Sequence, residues 1–513
     1  MKGVIRTISA AIVAGLIAVP ALATDRQGIT IAVQSNPTSL DPAYLFSNVA
    51  WRVTHNVFDT LIVSDPNDGF RLKPGLATSW KRVDDRTLEL KLRDNVKFHD
   101  GSVLSAEDVV FTFGPERMSA KDAPVWGQTR QYLGVVESVE AVDGKTIRVR
   151  TTQPDPIIEY RLATLAAAIV SKSAYEKASN FDAWGASPVG TGPYKISRFV
   201  TNDYVDLVAF DEYWGGKPNV GSVRFHVVPE VATRVAALQS GNADIATDLP
   251  LDQKQVIEKD EALKFVGGSI ENIRVLVFDT TNPVLKDPRV RKAIGLGIDR
   301  RAITSGLWDG LVDVPNGHQS PSYGDLWIKE WPEPAYDPEA ARKLLAEAGY
   351  KGEPIEYRAY NNYYTNELVT AQALVEMWKA IGLNVRLVVK ENTQQIYDPE
   401  GRGIRNWSNT IAYPDPLGGL WRLYGERGPV QLTSKEWTNA EFNAAGRVLE
   451  SSLDLNERRE AHRKMMSIYD NEDPFGTILH FNGMFYGMKK SVEWRPLPVE
   501  FMELRPGNLS FAK

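Results

Sequence analysis

LATSWKRVDDRTLELKLRDNVKFHDGSVLSAEDVVFTF, residues 76–113, orders the rest of the chain. From Thr87 to Arg93 apolar and charged residues alternate, with Leu88, Leu90 and Leu92 on one face and Glu89, Lys91 and Arg93 on the other. That is the pattern of a half-buried strand. Asp100-Gly101 marks a turn, and His99 beside it is expected to pack rather than to bind. Further on, VVESVEAVDGKTIRVRT (135–151) places two β-rich runs around Asp143-Gly144, a dipeptide suited to the positive φ angles of a tight hairpin. Residues from about 60 to 185 therefore read as an antiparallel, hairpin-rich module.

The second half of the chain changes period. In YDPEAARKLLAEAGY (336–350) Asp337 is placed to cap a helix, Pro338 suits its first turn and Gly349 its end. Ala341, Leu344, Leu345 and Ala348 fall on one face. An extended PIEYRAY (354–360) follows, then a helical ELVTAQALVEMWKAIG (367–382) with Leu368, Ala371, Val375 and Trp378 on one face, then the strand LNVRLVV (383–389). Strand, helix and strand in this order imply a βαβ unit on a parallel sheet. No internal repeat or low-complexity tract interrupts the chain.

The first 23 residues, MKGVIRTISAAIVAGLIAVPALA, combine Lys2 and Arg6 with an apolar run from Ile8 to Val19 and the small residues Ala21 and Ala23. This reads as a secretory signal cleaved after Ala23, too short for a membrane span. Without it the net charge falls from −6 to about −8, which argues against a nucleic-acid or anionic-membrane partner. The chain contains no cysteine, so an exported protein must be held by its core alone, and a lipid anchor at the cleavage site is excluded. Both features point to a free protein in a Gram-negative periplasm. With 513 residues, 43% of them hydrophobic, and 13 tryptophans, two or three domains can build such cores.

Catalytic patterns are absent from the sequence. The six histidines are scattered, without H-E-x-x-H or another close pairing, so no metal site is expected. No G-x-S-x-G elbow occurs. GTGPYK (190–195) and IGLGID (294–299) lack the third glycine of a dinucleotide loop, and no cofactor is implied. Acid pairs such as Asp84-Asp85 and Glu472-Asp473 read as solvated surface.

The opening stretch, with its Leu-Ala-x-Ser-Trp start, alternating strand and Lys-Phe-His-Asp-Gly turn before Ala106-Glu107-Asp108-Val109, resembles the signature of family 5 of bacterial solute-binding proteins, the receptors of ATP-binding-cassette (ABC) importers for peptides, nickel chelates and related solutes. SLDPAY (39–44), PVGTGPYK (188–195), DEYWGGKPNV (211–220), TRVAALQSGNADIA (233–246), DPRVRKAIGLGIDR (287–300), the 336–350 helix and TNAEFNAAGR (438–447) match the same pattern in order. The resemblance implies an α/β, two-lobed periplasmic-binding-protein fold with mixed sheets, a two-strand hinge and an extra subdomain. Lobe I would comprise 24–59, 186–275 and 483–513, with the hairpin-rich subdomain 60–185 packed on it, and lobe II 276–482. It also implies a monomer that encloses a small solute between its lobes and hands it to an inner-membrane ABC permease, without inserting into the membrane itself. An enzyme or chaperone on the same fold is the other class to be tested. In DEYWGGKP the glycines and Pro218 fix a turn, and Trp214 reads as a core corner.

By the same resemblance the stiff, aromatic NTIAYPDPLGGLW (409–421) faces the cleft. In peptide-binding relatives an aspartate three before the acid of the x-[Asp/Glu]-Pro step pairs with the peptide's α-amino group. Counted back from Asp415-Pro416, that place is held by Ala412, so an ordinary peptide would need Asp415 to take over. Leu417 stands where nickel-binding relatives carry a ligating histidine. The remaining candidates to line the cleft are Tyr44, Trp126, Trp407, Tyr413 and Trp421, as flat contact surfaces, and Arg422, whose guanidinium suits a carboxylate or phosphate. The reading is a solute such as an opine, a sugar conjugate or another modified amino acid, with ordinary peptides and nickel chelates as the alternative.

Overall fold

Two long antiparallel strands, Leu263–Phe278 and Gly476–Lys489, run through the centre of the molecule and join everything else to one another. The structure is a computed structural model describing residues 26–44, 46–360 and 363–512; the expected leader, residues 1–23, lies outside them. Both strands belong to a ten-stranded mixed sheet. At one end it continues through Ile245–Ala246, Ile29–Val33, Ser222–Val227, Tyr204–Ala209 and Tyr194–Val200, which form the first lobe. At the other end it continues through Ile404–Thr410, Ile355–Tyr360 and Val385–Lys390, which form the second.

The register of the crossing strands breaks where the lobes meet. Leu263–Ser269 pairs with Lys489–Gly483, and pairing resumes only at Ile273 opposite Phe481. A bulge of this kind bends a strand and frees backbone groups for other partners. Here the Glu271 amide donates to the Pro498 carbonyl at 2.9 Å, and the Glu271 carbonyl accepts from the Ile411 amide at 2.9 Å. Gly267, just before the break, has φ of +132°, and a Cβ there would stand 2.1 Å from the Met484 carbonyl oxygen. Only glycine fits that approach.

The βαβ unit forms as its period requires: Ile355–Tyr360 and Val385–Lys390 pair in parallel, linked by the helix Glu367–Ala380. Ala371 and Trp378 are buried, but Leu374 rather than Val375 fills the core between them, and Leu368 and Val375 are half-buried. Leu374 and Val375 lie about 50° to either side of the line through Ala371 and Trp378, and the packing of the neighbouring core takes in Leu374. The helix Pro338–Glu347 is capped by Asp337, whose side chain accepts from the Ala340 amide at 2.8 Å, and it buries Ala341 and Leu345.

The hairpin-rich module forms a four-stranded antiparallel sheet in the order Ala77–Asp84, Thr87–Leu92, Thr146–Thr151, Val136–Ala141. Asp143 closes its hairpin by accepting from the amides of Lys145 and Thr146. Leu88, Leu90, Leu92, Ile147 and Val149 are buried on one face, and that core is continuous with Tyr413, Leu417 and Trp421 of the second lobe. The module thus shares a core with the segment that carries these three residues. Arg161 ties this junction: it donates to Asp155, to the Tyr132 carbonyl, to the Tyr413 hydroxyl at 3.2 Å and to Glu450 at 3.3 Å.

The glycines of GTGPYK serve packing. The Gly192 amide donates to the Val57 carbonyl, the Gly192 carbonyl bonds His99, and a Cβ on Gly190 would stand 2.1 Å from the Val57 oxygen. His99 packs edge-on against Phe210. Among the described residues no helix is long and apolar enough to cross a membrane.

Candidate functional site

A cavity of about 400 Å³ opens where the break in the crossing strands, the module and the C-terminal segment meet. Its walls are Phe46, Trp51 and Tyr132 on one side, Phe501 and His55 on another, and Glu271, Thr410–Ala412 and Glu500 at the strand junction. Phe46 and Tyr132 pack edge to face at 4.7 Å, and His55 stacks on Phe501 at 3.9 Å. Size and lining suit a small molecule: mostly aromatic contact, with a few placed polar groups.

Two carboxylates decide the chemistry. Glu271, at the break, accepts from the hydroxyls of Ser320 at 3.0 Å and Ser322 at 2.9 Å. Glu500, 8% exposed, accepts from the Thr410 hydroxyl at 2.9 Å and from the side-chain amide of Asn272. Burial pushes both above the usual carboxylate range, against the pull of these hydrogen bonds. The other acids around the cavity have cations beside them, Asp59 with Arg505 at 3.0 Å, Asp65 with Lys73 at 2.6 Å and Glu503 with Arg505 at 3.9 Å. Asp59 also accepts from Thr191 and from the Trp214 indole, so Trp214 forms the expected corner while one side of it borders the cavity.

The loop 409–421 is stiff because it is bonded to itself. Arg422 donates to the Gly418 carbonyl, to the Asn409 side chain at 2.8 Å and to the Thr410 carbonyl at 2.7 Å, and Asn409 donates to the Gly419 carbonyl. Its guanidinium lies over the Tyr132 ring at 5.3 Å. Arg422 thus holds a wall of the cavity from behind.

Of the residues expected to contact solute, Ala412 alone borders the cavity. Asp415 is buried and forms an ion pair with Arg458 while capping the short turn 416–418 through the Leu417 amide. Tyr413 is buried against Arg161, and Trp421 packs on Gly446, where a Cβ would meet the ring at 2.0 Å. Trp407 is half-buried, edge-on to Tyr397 and beside the Arg405 guanidinium. Trp126 begins the helix Trp126–Leu133, half-buried, and Tyr44 is exposed and leans on Phe181. None of these five aromatics lines the cavity: Tyr413 and Trp421 are buried, Trp126 and Trp407 half-buried and Tyr44 exposed.

Sequence reasoning missed Glu271, Glu500, Trp51 and Tyr132. Gly267-Gly268 within a strand-like run is a bulge signal that points to Glu271. Glu500 lies in an irregular C-terminal segment with no local pattern. Among the described residues no group of three or more His, Asp or Glu side chains is arranged to hold a metal ion, and Leu417 is buried in the core.

Residues 71–430 match the profile of the bacterial extracellular solute-binding proteins, family 5. The chain is 29% identical over 449 residues to a glutathione-binding protein of Pectobacterium atrosepticum, covering 85% of this chain and 83% of the relative. Two solved structures share its fold. One is a dipeptide-binding protein from Pseudoalteromonas sp. SM9913 in complex with Met-Leu, with TM-score 0.85 and 23% identity over 95% of this chain and 100% of that one. The other is a periplasmic binding protein from A. tumefaciens R10 in complex with agropinic acid, with TM-score 0.81 and 22% identity over 92% and 95%. Two lobes joined by paired crossing strands, a cavity at their junction and the profile match agree: the chain belongs to family 5 of the bacterial extracellular solute-binding proteins.

Proposed function

We propose that this protein is the periplasmic receptor of an ABC importer and that it encloses a peptide-like or modified small solute in the cavity at the lobe junction before handing it to the permease. The observation that carries the reading is the position of that cavity: it borders the break in the crossing strands, so a solute there touches the element that must bend on closure. We place lobe I at 24–59, 186–275 and 483–513 and lobe II at 276–482, a division supported by the register break between Ser269 and Ile273.

Two solute classes are favoured by different observations. Ala412 in the cavity wall favours a modified solute such as an opine or sugar conjugate, for which the relative with agropinic acid is a precedent. The two carboxylates beside it favour an ordinary peptide, in line with the relatives that bind glutathione and Met-Leu.

The test is a tryptophan fluorescence titration of protein unfolded and refolded to strip bound solute, against di- and tripeptides, glutathione, agropinic acid and nickel–histidine. A saturable change with at least one is expected. Silence across the panel from correctly refolded protein would overturn the reading.

A further inference from the structure

We propose that Glu271 and Glu500 together seat the ammonium group of an amine-bearing, peptide-like solute, so that this receptor recognises the solute's positive charge although residue 412 carries no acid. The inference rests on the solute-receptor reading above and deepens it.

Both carboxylates border the cavity, and every hydrogen bond each receives comes from a neutral donor: two serine hydroxyls for Glu271, a threonine hydroxyl and an asparagine amide for Glu500. Glu500 is more than nine-tenths buried, and among the described residues no lysine or arginine forms an ion pair with it, Arg422 and Arg52 acting on it only at longer range. A buried charge without a counter-ion is costly, and such sites persist where a ligand supplies the partner. The neighbouring acids Asp59 and Asp65 show the contrast, since each already holds a cation.

The two glutamates also flank the position left empty at Ala412. The Ile411 amide bonds the Glu271 backbone and the Thr410 hydroxyl bonds the Glu500 side chain, so both are tied to the two residues that precede Ala412. The aromatic wall of Phe46, Trp51 and Tyr132 borders the same space and offers flat contact area, the Tyr132 ring already carrying the Arg422 guanidinium at 5.3 Å. Trp51 adds a buried indole N–H that has no partner among the described residues, a donor for a solute oxygen. Glu271 stands in the break of the crossing strands, so neutralising it acts on the hinge itself.

The test uses refolded full-length protein and two pools: free-amine di- and tripeptides, and the same peptides N-acetylated. Retention is read by equilibrium dialysis and mass spectrometry, for wild type and for Glu271→Gln and Glu500→Gln, which keep side-chain shape. The expected result is that wild type retains free-amine peptides about tenfold or more over their acetylated forms, and that each variant reduces this preference. The wild-type comparison stands even if a variant fails to fold. Equal retention of both pools would overturn the inference while leaving the receptor reading intact. Retention of neither pool, with agropinic acid still binding, would overturn the inference alone; retention of nothing at all would overturn both.

Discussion

Arg458 Nη2 donates to both oxygens of Asp415, at 2.9 and 2.8 Å, and the pair is buried between the loop 409–421 and the helix Leu455–Ser467. The acid that the sequence offered as a solute anchor is spent on the fold. Breaking a buried pair by removing one partner leaves an uncompensated charge, so Arg458→Ala should cost about 3–5 kcal/mol in urea unfolding. Asp415→Asn should likewise lower stability while leaving the order of solute preference unchanged. A change in solute preference without loss of stability would return Asp415 to the binding site.

Ala412 borders the cavity beside two carboxylates that already lack cations. A third acid there repels the first two and raises their affinity for protons. Ala412→Asp is therefore expected to leave tripeptide affinity unchanged or weaker, measured by fluorescence titration at pH 7. A gain of tenfold would show that the aspartate of peptide-binding relatives works here and that Glu271 and Glu500 do not replace it.

Glu500 is raised by burial, so its contribution to stability is fully present below the unfolded carboxylate range and is lost as pH rises through its folded value. Glu500→Gln should therefore raise the urea midpoint of the solute-free protein at pH 7, and the advantage should shrink on acidification towards pH 4. Binding of an ammonium needs the ionised form, so affinity should fall over the same acidification. A variant that is less stable at pH 7 would contradict the cost assigned to this buried charge.

Five histidines are held neutral by burial: His99, His318 and His480 are pushed down to about 4, His462 to about 3, and His55 well below the ordinary value. A depressed folded value means that their stability is present above about 6.5 and lost as pH falls towards 4. NMR titration should show these imidazoles neutral at pH 5. Protonation near the ordinary histidine value would contradict the packing described for them.

Gly267 sits in the crossing strand with a backbone that alanine adopts only under strain, facing the Met484 carbonyl. Gly267→Ala should cost about 1–3 kcal/mol in thermal or urea unfolding. Wild-type stability in this variant would mean that the strands separate there more easily than their pairing implies.

Much of the fold was legible because it rests on local pattern. Leu88, Leu90 and Leu92 alternate, and Asp337, Pro338 and Gly349 bracket a helix, and the structure has each where the spacing put it; Asp143-Gly144 does join the hairpin strands, but neither residue takes the positive φ expected of it. The site was less legible because its residues come from distant segments. Trp51, Tyr132, Glu271 and Glu500 meet only through tertiary packing, and no spacing links them. The loop 409–421 misled for a physical reason: proline, glycine and aromatics shape a buried, self-bonded turn as readily as a binding surface, and here only Thr410, Ile411 and Ala412 reach the cavity.

The central claim is that solute draws the two lobes together about the strands Leu263–Phe278 and Gly476–Lys489. Small-angle X-ray scattering of the refolded protein, with and without the solute that gives the largest fluorescence change, tests it most directly. The account predicts a smaller radius of gyration with solute bound. Superimposable curves at saturating solute would contradict it.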